Sequence, residues 1–180
     1  MNNTRIDVLR LDHREVRDQR ITAHVGLTSR ALGASSFAYS GDKDWNLEDS
    51  LGDVVKRWGG GMLVKHLTRV RNFISNYEGI KIHLTMYGES HFDTINTLSK
   101  AEPEDLLIIV GGTKVPGFVY ELADFNTSLG WQPHSEVSSV ALFLYSLNNG
   151  ESLYKKYENA KLEIELNGQK ARRSKRFLNL

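Results

Sequence analysis

The pattern of apolar and polar positions along the chain predicts alternating strands and helices. Residues 6–11 alternate with the period of two that is typical of a half-buried strand. Residues 106–110 are apolar throughout, as in a strand that is buried on both faces. Four further extended segments are predicted, over residues 36–39, 62–64, 80–86 and 123–129.

Segments with helical periodicity separate these strands. Leu47, Leu51, Val54, Val55 and Trp58 fall on one face of a helix that ends at the glycines of residues 59–61. Single helices between successive strands indicate an α/β fold, with a mostly parallel sheet flanked by helices on both faces. The other predicted helices lie near residues 24–32 with an end at Gly33, over 68–77, over 92–98, after Pro116, and over 134–147.

The pattern changes after residue 150, where charge rises and the apolar periodicity weakens. A chain of 180 residues is long enough for one well-buried core and short for two. We therefore predict one domain over residues 1–150, with residues 151–180 as a charged C-terminal extension of the same domain.

Composition excludes several classes of protein. The chain has no cysteine, which rules out disulfides and thiolate zinc sites. Its six histidines form no close pair and no H-E-x-x-H motif, so we expect no metal site. The longest aliphatic run is far too short to span a bilayer, and the N-terminal segment is charged. We expect a soluble cytoplasmic protein that binds no membrane.

The distribution of charge is more informative than its sum. The formal net charge is +1, which by itself favours no partner. Arginines crowd residues 10–30, and residues 170–176 carry five basic side chains and no acidic one. Either run alone is explained as a solvated face, but two such runs favour a phosphate-bearing partner such as RNA.

Three loops that contain glycine follow predicted strands, over residues 84–88, 111–115 and 129–136. Parallel sheets bind ligands at the carboxyl ends of their strands, where glycine lets the backbone approach a ligand closely. The pair Gly111 and Gly112 alone would be an ordinary turn, whereas three such loops predict a shared binding site. The last loop, Gly130-Trp-Gln-Pro-His-Ser-Glu136, places polar side chains beside the unpaired N–H groups of a helix start.

The helix predicted over residues 134–147 carries an apolar stripe. A single small domain need not cover the whole stripe, and exposed apolar stripes mark interfaces. We therefore predict an isologous two-fold dimer through this helix. The stripe consists of Val137, Val140, Ala141, Leu144 and Tyr145.

Six segments together resemble a known family. They are Val8-Leu-Arg-Leu-Asp-His-Arg14, Arg17-Asp-Gln-Arg20, His24-Val-Gly-Leu-Thr-Ser-Arg-Ala-Leu-Gly-Ala34, His83-Leu-Thr-Met-Tyr-Gly88, Val110-Gly-Gly-Thr-Lys-Val-Pro116 and Gly130-Trp-Gln-Pro-His-Ser-Glu136. In this order, over about residues 5–148, they resemble the archaeal tRNA (cytidine-56) 2′-O-methyltransferases of the SPOUT superfamily. L-T-M-Y-G and Q-P-H-S-E form the most specific pair.

The resemblance implies a SPOUT-type fold with a deep trefoil knot in the C-terminal half, a homodimer, and S-adenosyl-L-methionine as the methyl donor. The implied reaction is 2′-O-methylation of a ribose in the T-loop of tRNA, at cytidine 56. Arg30 matches the arginine of the first superfamily motif and would act on the ribose hydroxyl. The implied cofactor-binding residues are Leu84, Gly111, Gly112, Thr113, Lys114, Val115, Leu129, Gly130, Trp131, Gln132, Pro133, His134, Ser135 and Glu136.

Two positions depart from the family pattern. Thr113 stands where the family usually has Glu, which removes a carboxylate near the implied cofactor site. Trp131 stands where the family usually has Asn, and stacking on adenine, stacking on a nucleobase and packing against a dimer partner stay open for it. Two alternative functions also stay open, a non-catalytic RNA-binding SPOUT protein and a SPOUT methyltransferase with another RNA target.

Overall fold

A computed structural model describes residues 4–112, 114–164 and 171–173, the last three as backbone only. Six strands, all parallel to their neighbours, form one sheet in the order β3-β2-β1-β5-β4-β6. This arrangement confirms the predicted parallel α/β fold, while the knot stays a prediction. The strands are β1 Arg5–His13, β2 Ser36–Gly41, β3 Leu63–Leu67, β4 Ile80–Ser90, β5 Asp105–Val110 and β6 Phe125–Ser128.

Helices cover both faces of this sheet. Val8 of β1 points into a large core, and its neighbour Leu9 points into a smaller core on the opposite face, as the alternation of a strand requires. Helices α1, α2, α4 and α6 pack on the large core, and α3 and α5 pack on the small one. The helices are α1 Glu15–Ala31, α2 Trp45–Trp58, α3 Val70–Ser75, α4 His91–Ala101, α5 Gly117–Leu122 and α6 Glu136–Leu147.

Several helix starts differ from the prediction, and those of α1 and α6 differ for identifiable reasons. Helix α1 begins at Glu15, well before the predicted start near residue 24. The prediction missed its first half because that half is too polar to show an apolar face. Helix α1 has no marked apolar stripe of its own, and its packing against α6 stabilises it. Helix α6 begins at Glu136 and not at His134, because Ser135 is its N-cap and accepts a hydrogen bond from the Ser138 N–H at 3.3 Å.

The predicted dimer stripe on α6 is wrong in part. Val140 and Leu144 are fully buried in the core of their own chain, and Val137 and Ala141 pack partly against that core. Helix α6 is apolar on most sides, so periodicity alone does not separate its inner face from its outer face. Helix α6 leaves two large apolar side chains exposed to solvent, Leu142 with 47% and Tyr145 with 49% of its surface accessible.

The C-terminal extension lies against the domain where it is described. A short 3-10 helix, Glu151–Tyr154, follows α6, and β7 Leu162–Ile164 pairs antiparallel with β8 Ala171–Arg173. The N–H of Lys161 donates to the carbonyl of Arg57 at 2.9 Å. The domain limit at residue 150 stays a prediction, and the side chains of the basic run 170–176 lie outside the described residues.

Within the described part of the chain, helices are too short or too polar to cross a bilayer.

Candidate cofactor and RNA site

Three loops enclose one cavity of about 400 Å³ at the carboxyl edge of the sheet. They belong to β5, β4 and β6, which are consecutive in the sheet, so parallel pairing brings the loops side by side. The structure therefore unites the three loops whose proximity the sequence predicted. The lining residues are His83, Leu84, Thr85, Met86, Tyr87, Val110, Gly111, Gly112, Val115, Tyr120, Leu129, Gly130, His134, Glu136 and Ser139.

The predicted cofactor residues divide into two groups. Leu84, Gly111, Gly112, Val115, Leu129, Gly130, His134 and Glu136 line the cavity. Thr113 lies outside the described residues. The others are exposed and do not line the cavity, namely Lys114, Trp131, Gln132, Pro133 and Ser135.

The first loop is a bulge within β4 and not, as the sequence suggested, a segment after its end. Leu84 and Glu89 both pair with Thr127 of β6, so residues 85–88 leave the sheet between them. Met86 and Tyr87 in this bulge contribute to the cavity wall and remain exposed to solvent. The bulge thus provides two exposed apolar side chains beside the cavity.

The second loop depends on a close approach at Gly111. A Cβ atom on Gly111 would lie 2.5 Å from Cγ2 of Val115, so that either the Val115 side chain or the loop would have to shift. A Cβ atom on Gly112 would lie 3.7 Å from Oε1 of Glu136, which is ordinary contact. A side chain at Gly111 would therefore disturb the loop, whereas a Cβ at Gly112 would fit against Glu136 without a clash.

A buried arginine holds the acidic residue of the cavity. Arg10 on β1 is only 2% exposed, and its Nη2 lies 3.5 Å from Oε1 of Glu136 and 3.7 Å from Oδ2 of Asp18. Burial opposes ionisation of Asp18, but the Arg14 hydrogen bond and the Arg10 charge bring the pKa of Asp18 below its usual value. Two carboxylates thus accompany the buried guanidinium, and one of them reaches the cavity.

His83 and Tyr120 also line the cavity. The sequence favours a hydrogen-bonded scaffold role for His83, which opens the segment 83–88, and indicates no role for Tyr120. The amide of Asn126 donates to the Tyr120 carbonyl at 3.1 Å, and its oxygen lies 2.9 Å from Nδ1 of His83. Burial lowers the pKa of His83, so its ring is neutral near pH 7. Tyr120 meets this ring edge to face, with centroids 4.5 Å apart. Tyr120 lies on the short helix α5, which carries no recognisable motif, so only the folded structure shows that it lies beside His83 at the cavity.

Arg30 does not line the cavity of its own chain. It lies near the end of α1, is 8% exposed, and donates from Nη2 to the carbonyl of Gly59 at 2.8 Å. Its guanidinium lies 4.8 Å from the ring centroid of Tyr157, and the Tyr157 hydroxyl donates to the Arg30 carbonyl at 2.5 Å. Burial lowers the pKa of this guanidinium. The catalytic role of Arg30 stays a prediction.

No group of three or more His, Asp or Glu side chains among the described residues is arranged to hold a metal ion.

Relatives of this chain are named for one reaction. The tRNA (cytidine(56)-2′-O)-methyltransferase of Pyrococcus horikoshii is 45% identical over 161 residues, which is 88% of this chain and 79% of the relative. The enzyme of the same name from Pyrococcus abyssi is 47% identical, over 88% of this chain and 82% of the relative. The enzyme of the same name from Methanopyrus kandleri is 46% identical, over 87% of this chain and 89% of the relative.

Solved structures share the fold at low identity. The SpoU methyltransferase AviRb from Streptomyces viridochromogenes, solved with AdoMet, has a TM-score of 0.58 at 13% identity and covers 82% of this chain. This chain spans 57% of AviRb. The TrmH/SpoU tRNA modifying enzyme of A. aeolicus has a TM-score of 0.57 at 13% identity. The match covers 81% of this chain and 74% of that enzyme. These similarities show a SPOUT fold.

The sequence profile of the tRNA ribose 2′-O-methyltransferase family aTrm56 matches residues 58–174. Together with 45–47% identity to enzymes of that activity over most of the chain, this match shows that the chain belongs to the aTrm56 family of tRNA ribose 2′-O-methyltransferases.

Proposed function

We propose that this protein transfers a methyl group from S-adenosyl-L-methionine to the ribose 2′-oxygen of cytidine 56 in tRNA. The observation that carries the proposal is the convergence of three motif-bearing loops on one cavity. The relatives that share these motifs are named for this reaction. The same proposal places the protein in the cytoplasm, as a homodimer with tRNA as its partner.

The cavity fits the methyl donor in size and in the chemistry of its wall. A volume of about 400 Å³ is in the range of small-molecule sites, which is roughly 300–1,000 Å³. The wall combines the apolar side chains of Leu84, Val110 and Leu129 with open glycine backbone and the carboxylate of Glu136. Such a wall suits a ligand with an apolar ring, hydroxyl groups and a cationic centre. The bound cofactor supplies an electrophilic methyl group on a sulfonium.

The protein itself must hold the two reactants in line and assist removal of one proton. In this proposal Gly111 and Glu136 hold the cofactor, and Arg10 keeps the Glu136 carboxylate in place. Arg30 orients the 2′-hydroxyl and stabilises the negative charge that develops on its oxygen. An arginine stays protonated and is a poor base, so Arg30 does not take the proton.

The dimer is a necessary part of this assignment. Because Arg30 does not line the cavity of its own chain, it can act there only if a second copy brings it to the cavity. An isologous dimer presents the same surface of both chains to each other, so each copy would complete the other's site.

Incubation of the protein with unmodified tRNA and methyl-labelled S-adenosyl-L-methionine, followed by nucleoside mapping, tests the proposal. We expect label on the ribose of cytidine 56, and none in a control tRNA that carries 2′-deoxycytidine at that position. Label at another nucleotide would establish a different RNA target. Tight tRNA binding without cofactor binding would support the non-catalytic alternative.

A further inference from the structure

A second cavity, of about 860 Å³, lies away from the motif loops. We name it the basic groove, lined by residues 33–35, Val55, Lys56, 59–61, 155–159 and Lys161. Residues 33–35 precede β2 and residues 59–61 precede β3, so the groove lies at the amino edge of the parallel sheet. The cofactor cavity lies at the opposite edge, and the groove is therefore a separate site.

The basic groove has an excess of positive charge. Its lining contains Lys56, Lys155, Lys156 and Lys161, and Glu158 is the one acidic residue among the described lining residues. Lys56 has an exposed partner in Asp53 at 3.5 Å, a pair of small energetic value. The other three lysines form no ion pair with a described residue. Lys155 Nζ lies 5.7 Å from the ring centroid of Tyr157, a contact that does not neutralise its charge. All three ammonium groups can therefore still bind an anionic partner.

Packing of Tyr157 and a backbone hydrogen bond hold the two walls of the groove together. The ring of Tyr157 packs between the guanidinium of Arg30 and the glycine run, and a Cβ atom on Gly60 would lie 2.6 Å from its Cδ1. The N–H of Gly60 donates to the carbonyl of Glu158 at 3.2 Å. The lysines at 155, 156 and 161 thus project from a segment that is fixed to the domain.

We propose that the basic groove binds the sugar–phosphate backbone of tRNA. This inference rests on the proposed function, because it takes the tRNA substrate as the ligand of the groove. Lysine contacts to phosphates give affinity and orientation without reading sequence. Beside Gly61 no heavy atom lies within 4 Å of an ideal Cβ position, so an RNA backbone can approach this loop closely. The first half of the C-terminal extension thereby gains a function.

The test is a triple substitution, Lys155→Gln, Lys156→Gln and Lys161→Gln, measured by the affinity for unmodified tRNA across a salt series. Each lost phosphate contact reduces the slope of log affinity against log salt by roughly 0.7–0.9. We expect the slope to fall by about 2–3 and tRNA binding to weaken roughly tenfold or more at low salt. The melting temperature and the affinity for S-adenosylhomocysteine should stay at wild-type values.

Lys100→Gln is the matched control, because Lys100 lies in the last turn of α4 and does not line the groove. A wild-type salt slope in the triple variant overturns the inference, and so does an equal loss in the Lys100 control. Either result leaves the proposed function standing if the wild-type protein methylates cytidine 56. Conversely, a reduced slope in a protein without methyltransferase activity would support the groove and contradict the proposed function.

Discussion

At the residue scale, Gly111 is the position where a single methyl group should disturb the cofactor loop. In Gly111→Ala the new Cβ would meet Cγ2 of Val115 at 2.5 Å, and the β-branched side chain of Val115 has few alternative rotamers. Overpacking of this kind costs about 1–3 kcal/mol. We expect cofactor affinity, measured by calorimetry with S-adenosylhomocysteine, to fall roughly tenfold or more.

Gly112→Ala is the control for this prediction. Its Cβ would make an ordinary 3.7 Å contact with Glu136, so affinity should stay within about threefold of wild type. Equal losses in the two variants would mean that the cofactor itself, and not the shape of the loop, excludes side chains here.

Arg30 has a structural and a proposed catalytic role that two substitutions separate. Removal of the side chain leaves the carbonyl of Gly59 without its donor and costs about 1–3 kcal/mol of folding free energy. If Arg30 also acts on the ribose hydroxyl, Arg30→Ala lowers the single-turnover methylation rate of folded protein by about two orders of magnitude or more. Cofactor affinity and dimerisation should barely change.

Arg30→Lys distinguishes the two roles further. A point charge does not reproduce the planar fork of donors, so lysine should restore little of the rate. Near-normal rates of folded protein in both variants would remove Arg30 from catalysis and leave it as an anchor for Tyr157.

At the scale of elements, the outer face of α6 should form the dimer contact. Leu142 is exposed in the single chain, while Val140 and Leu144 of the same helix are buried. We expect Leu142→Glu to give a monomer by light scattering at micromolar concentration, because a charge in an apolar interface is costly. If Arg30 acts across the dimer, the monomer should bind cofactor but lose methyl transfer.

Leu63→Glu provides a control on the edge strand β3, where the side chain is 58% exposed. In the sheet, β3 is three strands away from β5, against which α6 packs. The Leu63→Glu variant should remain a dimer by light scattering, with unchanged affinity for S-adenosylhomocysteine. A wild-type protein that is already monomeric would exclude the dimer. A Leu142→Glu variant that stays dimeric would place the interface on another surface.

At the scale of the whole molecule, the basic tail should add to tRNA affinity. Deletion of residues 169–180 removes five basic side chains and no acidic one. We expect weaker tRNA binding and a flatter salt dependence, with unchanged affinity for S-adenosyl-L-methionine. Filter binding across a salt series measures both quantities.

A shorter deletion of residues 177–180 keeps all five basic residues and should behave as wild type. If the longer deletion shows an unchanged salt slope, the tail is only a solvated segment, and the groove lysines would have to provide the phosphate contacts without it.

Local pattern determined much of this protein without tertiary information. The apolar pattern predicted a segment that overlaps each strand of the sheet. Alternation indicated residues 6–11, because the side chains of a strand face opposite sides at each step, and a continuous apolar run indicated residues 106–110. The first half of α1 escaped prediction, because polar residues such as Arg17 and Arg20 interrupt any apolar face. Three glycine-containing loops, read together with the family motifs, identified most of the side chains that line the cavity.

Tertiary structure alone decided how these parts meet. Strand order is a property of long-range pairing, so the neighbourhood of β5, β4 and β6 that unites the three loops appears only in the folded sheet. The same holds for Tyr120 beside His83, for Arg10 beneath Glu136, and for Arg30 beneath Tyr157. Sequence determines the buried face where the apolar residues recur with a clear period, as in α2, but not in α1 or α6. Which element covers each face depends on the energy of the whole packing, and no local segment contains that information.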